Sequence, residues 1–332
     1  MKRFLFIICT IAFATTASFA KSGRVVIAYV TSWSHIMPDP AYVTHVFYAF
    51  GGVNETFNGI NISNPERLKS IAGLKENNPK LKVVLSVGGW GSGRFSEMAA
   101  DETLRKSFCA DCKRVIDEYN LDGIDIDWEY PGSSSANISS SPNDRKNFTL
   151  LMHDIRSAIG KASVLSIATA AWGNFYDFRD FIDDLDFVNV MSYDMGNAPT
   201  HHAALYNSDI TGKGMTCEKA VNAHIEGGVP TGKLVLGLPF YGRGTQAVGN
   251  FCDFRKIADL KGYTEKWDKQ ASVPYLEDSN GTIVLCFDNA RSLKAKCKYL
   301  KKKGLHGSMY WDYAGDDEKG TLRKTVWKNT RR

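Results

Sequence analysis

The stretch Leu121-Asp122-Gly123-Ile124-Asp125-Ile126-Asp127-Trp128-Glu129-Tyr130-Pro131 decides the fold. Side chains alternate along a strand, so Gly123, Asp125, Asp127 and Glu129 share one face and Ile124, Ile126 and Trp128 the other. A solvated acidic strand would not alternate with Ile and Trp in this way. The apolar face predicts packing against helices. The acidic face then looks into the interior of a barrel and climbs towards its C-terminal rim. Carboxylates two positions apart are about 6.5 Å apart, and at an effective dielectric near 20 each pair repels by about 2.5 kcal/mol. That is nearly two pKa units, so at least one acid is expected to hold a proton near neutral pH. A general acid requires that state. A calcium loop would need Gly where Tyr130 stands and Glu near Ala136; a carboxylate metal site stays open as an alternative, with no His nearby.

Outward from this stretch the chain repeats one pattern: a short apolar run, a turn and an amphipathic stretch. Strand-like runs fall at 25–30, 45–50, 82–87, 123–128, 164–170, 187–193, 233–239 and 307–311, with helix-like segments such as 65–76, 101–119 and 145–159 between them. Continuous apolar strands alternating with helices predict a parallel sheet covered on both faces. Eight such units predict an α/β fold, a (β/α)8 TIM barrel. No Gly-rich phosphate loop follows the first run, which disfavours a dinucleotide-binding sheet. The interval from about 244 to 304 is irregular and reads as a small α+β insertion between strands 7 and 8. Its lysines (Lys294, Lys296, Lys298, Lys301, Lys302 and Lys303) are expected to form a solvated helix face.

The 332 residues are 43% hydrophobic and 23% charged, a globular composition that excludes a disordered or collagenous chain. Residues 1–20, MKRFLFIICTIAFATTASFA, have the basic start, apolar run and Ser18-Phe19-Ala20 ending of a secretory signal peptide. Export, to the periplasm or outside, is therefore expected, with 21–332 as the mature catalytic unit. The apolar run is too short to span a bilayer. Without Lys2 and Arg3 the net charge of +5 falls to +3, too small a field for nucleic acid. Six cysteines remain beyond the leader: Cys109, Cys112, Cys217, Cys252, Cys286 and Cys297. They permit up to three disulfides, though the Cys109-x-x-Cys112 pair has no thioredoxin-like context, and structural or free thiols are expected.

The acidic strand resembles D-G-x-D-x-D-x-E, the signature of glycoside hydrolase family 18, the chitinases and related enzymes. Leu85-Ser86-Val87-Gly88-Gly89-Trp90 is similar to the family's S-x-G-G-W, and Met191-Ser192-Tyr193-Asp194 to its M-x-Y-D. Gly237-Leu238-Pro239-Phe240-Tyr241-Gly242-Arg243 resembles its G-[LI]-P-F-Y-G-R, and Gly307-Ser308-Met309-Tyr310-Trp311 its closing G-x-M-x-W. The resemblance runs from about Arg24 to Trp327. It implies that Glu129 protonates the glycosidic oxygen while the sugar's own 2-acetamido oxygen attacks the anomeric carbon. It further implies that Asp127 holds the acetamido group, that Asp125 shares a proton with Asp127, and that Tyr193 bonds the attacking carbonyl.

Tyr29 and Ser86 resemble residues that bond the lower carboxylate, and Phe50 and Trp311 those that shape the sugar subsite. Trp90, Met191, Asp194, Tyr241 and Arg243 complete the expected substrate contacts. Trp33 and Trp172 are expected either to extend the cleft or to pack, Trp267 to line one wall, and Trp128 and Trp327 to pack. His201 and His202 are expected in a loop role. The resemblance implies hydrolysis of β-1,4 bonds in chitin or chito-oligosaccharides with retention. An endo-β-N-acetylglucosaminidase acting on the N-glycan core and a chitin-binding lectin are the alternatives. No cofactor, metal, nucleic acid or membrane span is expected, only a carbohydrate partner and a monomer.

Overall fold

The computed structural model describes residues 23–331. The leader expected at 1–20 lies outside the described residues. The first half of the chain runs β1 (Val25–Thr31), β2 (His45–Val53), β3 (Ile60–Ile62), α1 (Pro65–Ala72), β4 (Lys82–Gly88), α2 (Phe95–Ala100), α3 (Glu102–Glu118), β5 (Gly123–Asp127) and α4 (Asp144–Ile159). It continues through β6 (Val164–Ala170), β7 (Phe187–Met191), α5 (Cys217–Glu226), β8 (Leu234–Pro239), β9 (Tyr241–Gly244), β10 (Cys252–Asp253), α6 (Phe254–Ile257) and β11 (Thr264–Asp268). The last elements are β12 (Val273–Glu277), β13 (Ile283–Cys286), α7 (Ala290–Lys303), β14 (Gly307–Trp311) and α8 (Thr321–Arg331).

Eight parallel strands form a ring in the order β1, β14, β8, β7, β6, β5, β4, β2, and the parallel β1–β2 pairing closes it. The TIM barrel is therefore present, with β3 added antiparallel to β2. Strand parity divides the core as the apolar runs require. Val26, Ala28, Ile124, Ile126 and Trp128 face outward into the large core shared with the helices. Ile27, Tyr29, Phe47, Val84, Phe187, Val235 and Met309 fill the interior. Glycine is required where strands crowd: a Cβ on Gly123 would lie 2.1 Å from the Val164 carbonyl oxygen. Gly88 adds a left-handed φ of 127° to a similar approach against the Asp127 carbonyl.

The helices begin and end on local signals. The Asp101 side chain accepts from the amides of Thr103 and Leu104 at the start of α3. Asn289 and Ser292 form a capping box on α7, and left-handed Gly304 stops it.

Between β8 and β14 lies a second sheet, ordered β10, β9, β13, β12, β11, with its own core of Cys252, Ile257, Leu276, Val284, Leu285 and Phe287. The helix α7 that follows packs on α8 and against β14. One expectation for this region fails. Lys296 is wholly buried rather than solvated, and its Nζ pairs with Asp288 Oδ2 at 2.5 Å. A buried ammonium needs such a partner. All six described cysteines are buried free thiols. Among the described residues no helix is long and apolar enough to cross a membrane.

Candidate active site

Asp125 sits at the base of the site, fully buried, with both oxygens engaged. Tyr29 and Ser86 donate to Oδ2 at 2.9 and 2.8 Å, and Ser166 and Asn189 to Oδ1 at 2.7 and 3.2 Å. Strand register creates this belt, because Ser86 on β4 and Ser166 on β6 both pair with Asp125 on β5. Burial pushes the Asp125 carboxyl up, opposed by these four hydrogen bonds. Ser166 and Asn189 were not foreseen from the sequence. Their signal was a polar residue in the middle of an apolar strand.

One step up the strand, Asp127 is buried and its Oδ1 has no hydrogen-bond partner among the described residues. Burial, then the charges of Glu129 and Asp125, push it well above the usual carboxylate range. Glu129 crowns the stack. Burial raises its pKa to about 7, opposed by the hydrogen bond that Tyr130 donates to Oε2 at 2.8 Å and assisted by the charge of Asp194. Tyr130 itself stacks on Phe175, with ring centroids 4.7 Å apart. It too was missed by sequence reasoning, for its position next to Glu129 carried no parity signal once the strand had ended.

These acids open into a cavity of about 560 Å³ at the C-terminal ends of the barrel strands. Tyr29, Phe50, Trp90, Met191, Tyr193, Asp194, Tyr241, Arg243 and Trp311 line it with Asp127 and Glu129, so the structure brings these sequence-derived candidates together. Ser86 and Asp125 lie beneath, outside the lining. Phe50 and Trp311 stack at 5.5 Å, Tyr29 tilts against Trp311 at 5.9 Å, and Tyr193 meets the edge of Tyr241 at 6.2 Å. Burial pushes the Tyr193 phenol well above its ordinary value, which keeps it a hydrogen-bond donor.

Asp194 is clamped by Arg243, whose Nε and an Nη each donate at 2.6 Å. Burial acts to raise Asp194, but Arg243 and His202 hold it well below the usual range. His201 and His202 are buried, the first bonded to Asp268 across the interface with the small sheet.

The rim is aromatic and exposed. Trp33 and Trp90 are 63% and 64% exposed, and Trp172 and Phe251 about half exposed. All four line the cavity, which assigns Trp33 and Trp172 to the cleft and adds Phe251. Trp267 is a correction: it lies outside this cavity, with the Arg291 guanidinium 3.8 Å over its ring. β11 carries it towards Arg291 on α7. Trp128 packs against Phe95 and Phe148, and Trp327 against the large core. Among the described residues, no group of three His, Cys, Asp or Glu could hold a metal ion.

Residues 25–316 match the family model described as glycosyl hydrolases family 18. Chitinase A1 of Niallia circulans is 31% identical, with 93% of this chain aligned, and the chain spans 59% of that relative's length. The solved family 18 N-acetylglucosaminidase of Paenibacillus barengoltzii superposes with a TM-score of 0.83 at 32% identity, over 92% of this chain and 99% of that one. The Group IV chitinase of Ostrinia furnacalis, solved with allosamidin, gives a TM-score of 0.81 at 28% identity, over 92% and 97% of the two chains.

Proposed function

The chain belongs to glycosyl hydrolases family 18, and from that premise we propose that it hydrolyses β-1,4 bonds beside N-acetylglucosamine in chitin or chito-oligosaccharides, with retention. The observation that carries this reading is Glu129, buried at the cavity floor and held at about 7, a proton donor poised for use near neutral pH.

The other carboxylates argue for a nucleophile supplied by the substrate. Among the described residues lining the cavity they are Asp127 and Asp194. Asp127 is pushed towards its neutral form and Asp194 is committed to Arg243, so neither is an available nucleophile of the usual retaining kind. In the proposed first step Glu129 gives its proton to the glycosidic oxygen as the C1–O bond breaks. The 2-acetamido oxygen bonds to C1 and leaves an oxazolinium ion. Tyr193 donates to the attacking acetamido oxygen. Asp127, passing its proton towards Asp125, offers negative charge to the cation. Water then attacks C1, its proton returns to Glu129, and the acetamido group is restored.

Phe50 and Trp311 offer ring faces to the pyranose C–H groups. Trp90, Met191, Asp194, Tyr241 and Arg243 complete the contacts. The leader-like first twenty residues and the polymeric substrate support export.

The test is product analysis on defined chito-oligosaccharides and on an N-glycan, with Glu129→Gln as control. Cleavage of the chito-oligosaccharides is expected, together with a loss of at least about 100-fold in kcat in the variant. Fully deacetylated glucosamine chains should resist cleavage. Cleavage of the N-glycan alone would replace chitin as substrate, and cleavage of neither would remove the enzyme reading.

A further inference from the structure

The outer wall carries its charge unevenly. On α1, α3 and α4 many of the surface cations are answered by acids, Lys69 by Glu66, Lys106 by Glu102, Lys113 by Asp117, Arg145 by Asp177 and Arg156 by Asp186, while Lys146 is exposed without an ion pair among the described residues. By contrast α7 and α8, which pack together, hold eleven Lys and Arg and no Asp or Glu. The whole chain has 41 cationic and 36 anionic side chains, so the remainder is net acidic. The positive charge is concentrated on one wall.

On that wall Arg291, Lys294 and Lys298 stand exposed at helical spacings of three and four. They form one stripe in which each cation repels the next. None of the three is ion-paired with an acid among the described residues, whereas Lys296 on the same helix turns inward to Asp288. The stripe lines a groove of about 390 Å³, flanked by Trp267, Lys301 and Asn329. At 1.5 Å rise per residue, its charges follow one another at about 5 Å along the helix. The groove shares no lining residue with the cavity above Glu129.

We propose that this groove docks a linear acidic polysaccharide, with the carboxylates of successive sugars meeting Arg291, Lys294 and Lys298 and the Asn329 amide reaching ring hydroxyls. The single file of cations in a trough suits a linear polyanion. A membrane surface is disfavoured, because the exposed large hydrophobic residues are Trp33, Ile36, Met37, Trp90, Leu150, Trp172 and Phe251, none on α7 or α8. Nucleic acid is disfavoured as well. The stripe is built mainly of lysine point charges rather than bidentate arginine forks, and the Trp267 face is covered by Arg291 instead of open to a base. Docking here leaves the cleft free, so the protein would be retained in a matrix of acidic glycans while its site works on a neutral one.

Binding of the full chain to polygalacturonate tests this, measured at 50 and 300 mM NaCl beside duplex DNA and phosphatidylglycerol vesicles. Polygalacturonate should bind, with affinity falling about ten-fold or more between the two salt concentrations. K294E/K298E should weaken binding about ten-fold or more while its Tm stays that of the parent. Absence of binding at 50 mM, or undiminished binding by the variant, overturns the proposal. Tighter binding to DNA or to vesicles overturns it in favour of that partner.

Discussion

Tyr130 donates a 2.8 Å hydrogen bond to Oε2 of Glu129, the residue that precedes it in the chain. The bond stabilises the carboxylate and so opposes the burial that raises Glu129 to about 7. A proton donor is competent below its pKa, so kcat/KM should fall as pH rises through about 7. Tyr130→Phe removes the opposing bond, and the alkaline limb of the pH–kcat/KM profile should move to higher pH. Movement to lower pH would contradict this account of the acid.

The belt around Asp125 supplies a second prediction. Ser166→Ala deletes one of four donors to a buried carboxyl. A hydrogen bond to a charged group contributes about 1.5–3 kcal/mol. Steady-state kinetics should show kcat reduced about ten-fold or more, with KM little changed, because Ser166 lies beneath the cavity rather than in its lining.

Lys296 and Asp288 form a wholly buried pair. Lys296→Met strands the Asp288 carboxylate and should cost about 3–5 kcal/mol in denaturant unfolding. Lys296→Met combined with Asp288→Leu removes both charges and should recover much of that loss. A double variant no more stable than the single one would refute the pairing argument.

The six described thiols are free and buried. Burial pushes Cys109 up to about 12 and Cys112 well above its ordinary value, so neither offers a thiolate near neutral pH. A thiol reagent should label the native protein slowly and the unfolded protein fast. Adding reductant should leave Tm unchanged.

Much of the barrel was legible because a strand covered by helices must be apolar on its outer face. The runs at 164–170 and 307–311 coincide with β6 and β14 to the residue. The acidic face of β5 was legible for the same reason, since parity alone separates Asp125 from Ile124. What remained hidden depends on register and on packing between distant segments. Ser166 reaches Asp125 only through the pairing of β5 with β6. Lys296 looked like its neighbours in a lysine-rich helix until the position of Asp288 fixed which lysine turns inward. Trp267 belonged to the insertion, but the side of the small sheet it would face depended on where α7 lay.

Asp125 takes its four hydrogen bonds from β1, β4, β6 and β7, that is, from residues 29, 86, 166 and 189. No two of these donors come from the same strand, and no local fragment can assemble them. A chain halted before its seventh strand, or a ring that failed to close, would carry the acids of β5 without the setting that tunes them. Hydrolysis can therefore serve as an assay of completed topology: intermediates should be silent, and activity should return on refolding no sooner than the last of these strands is seated.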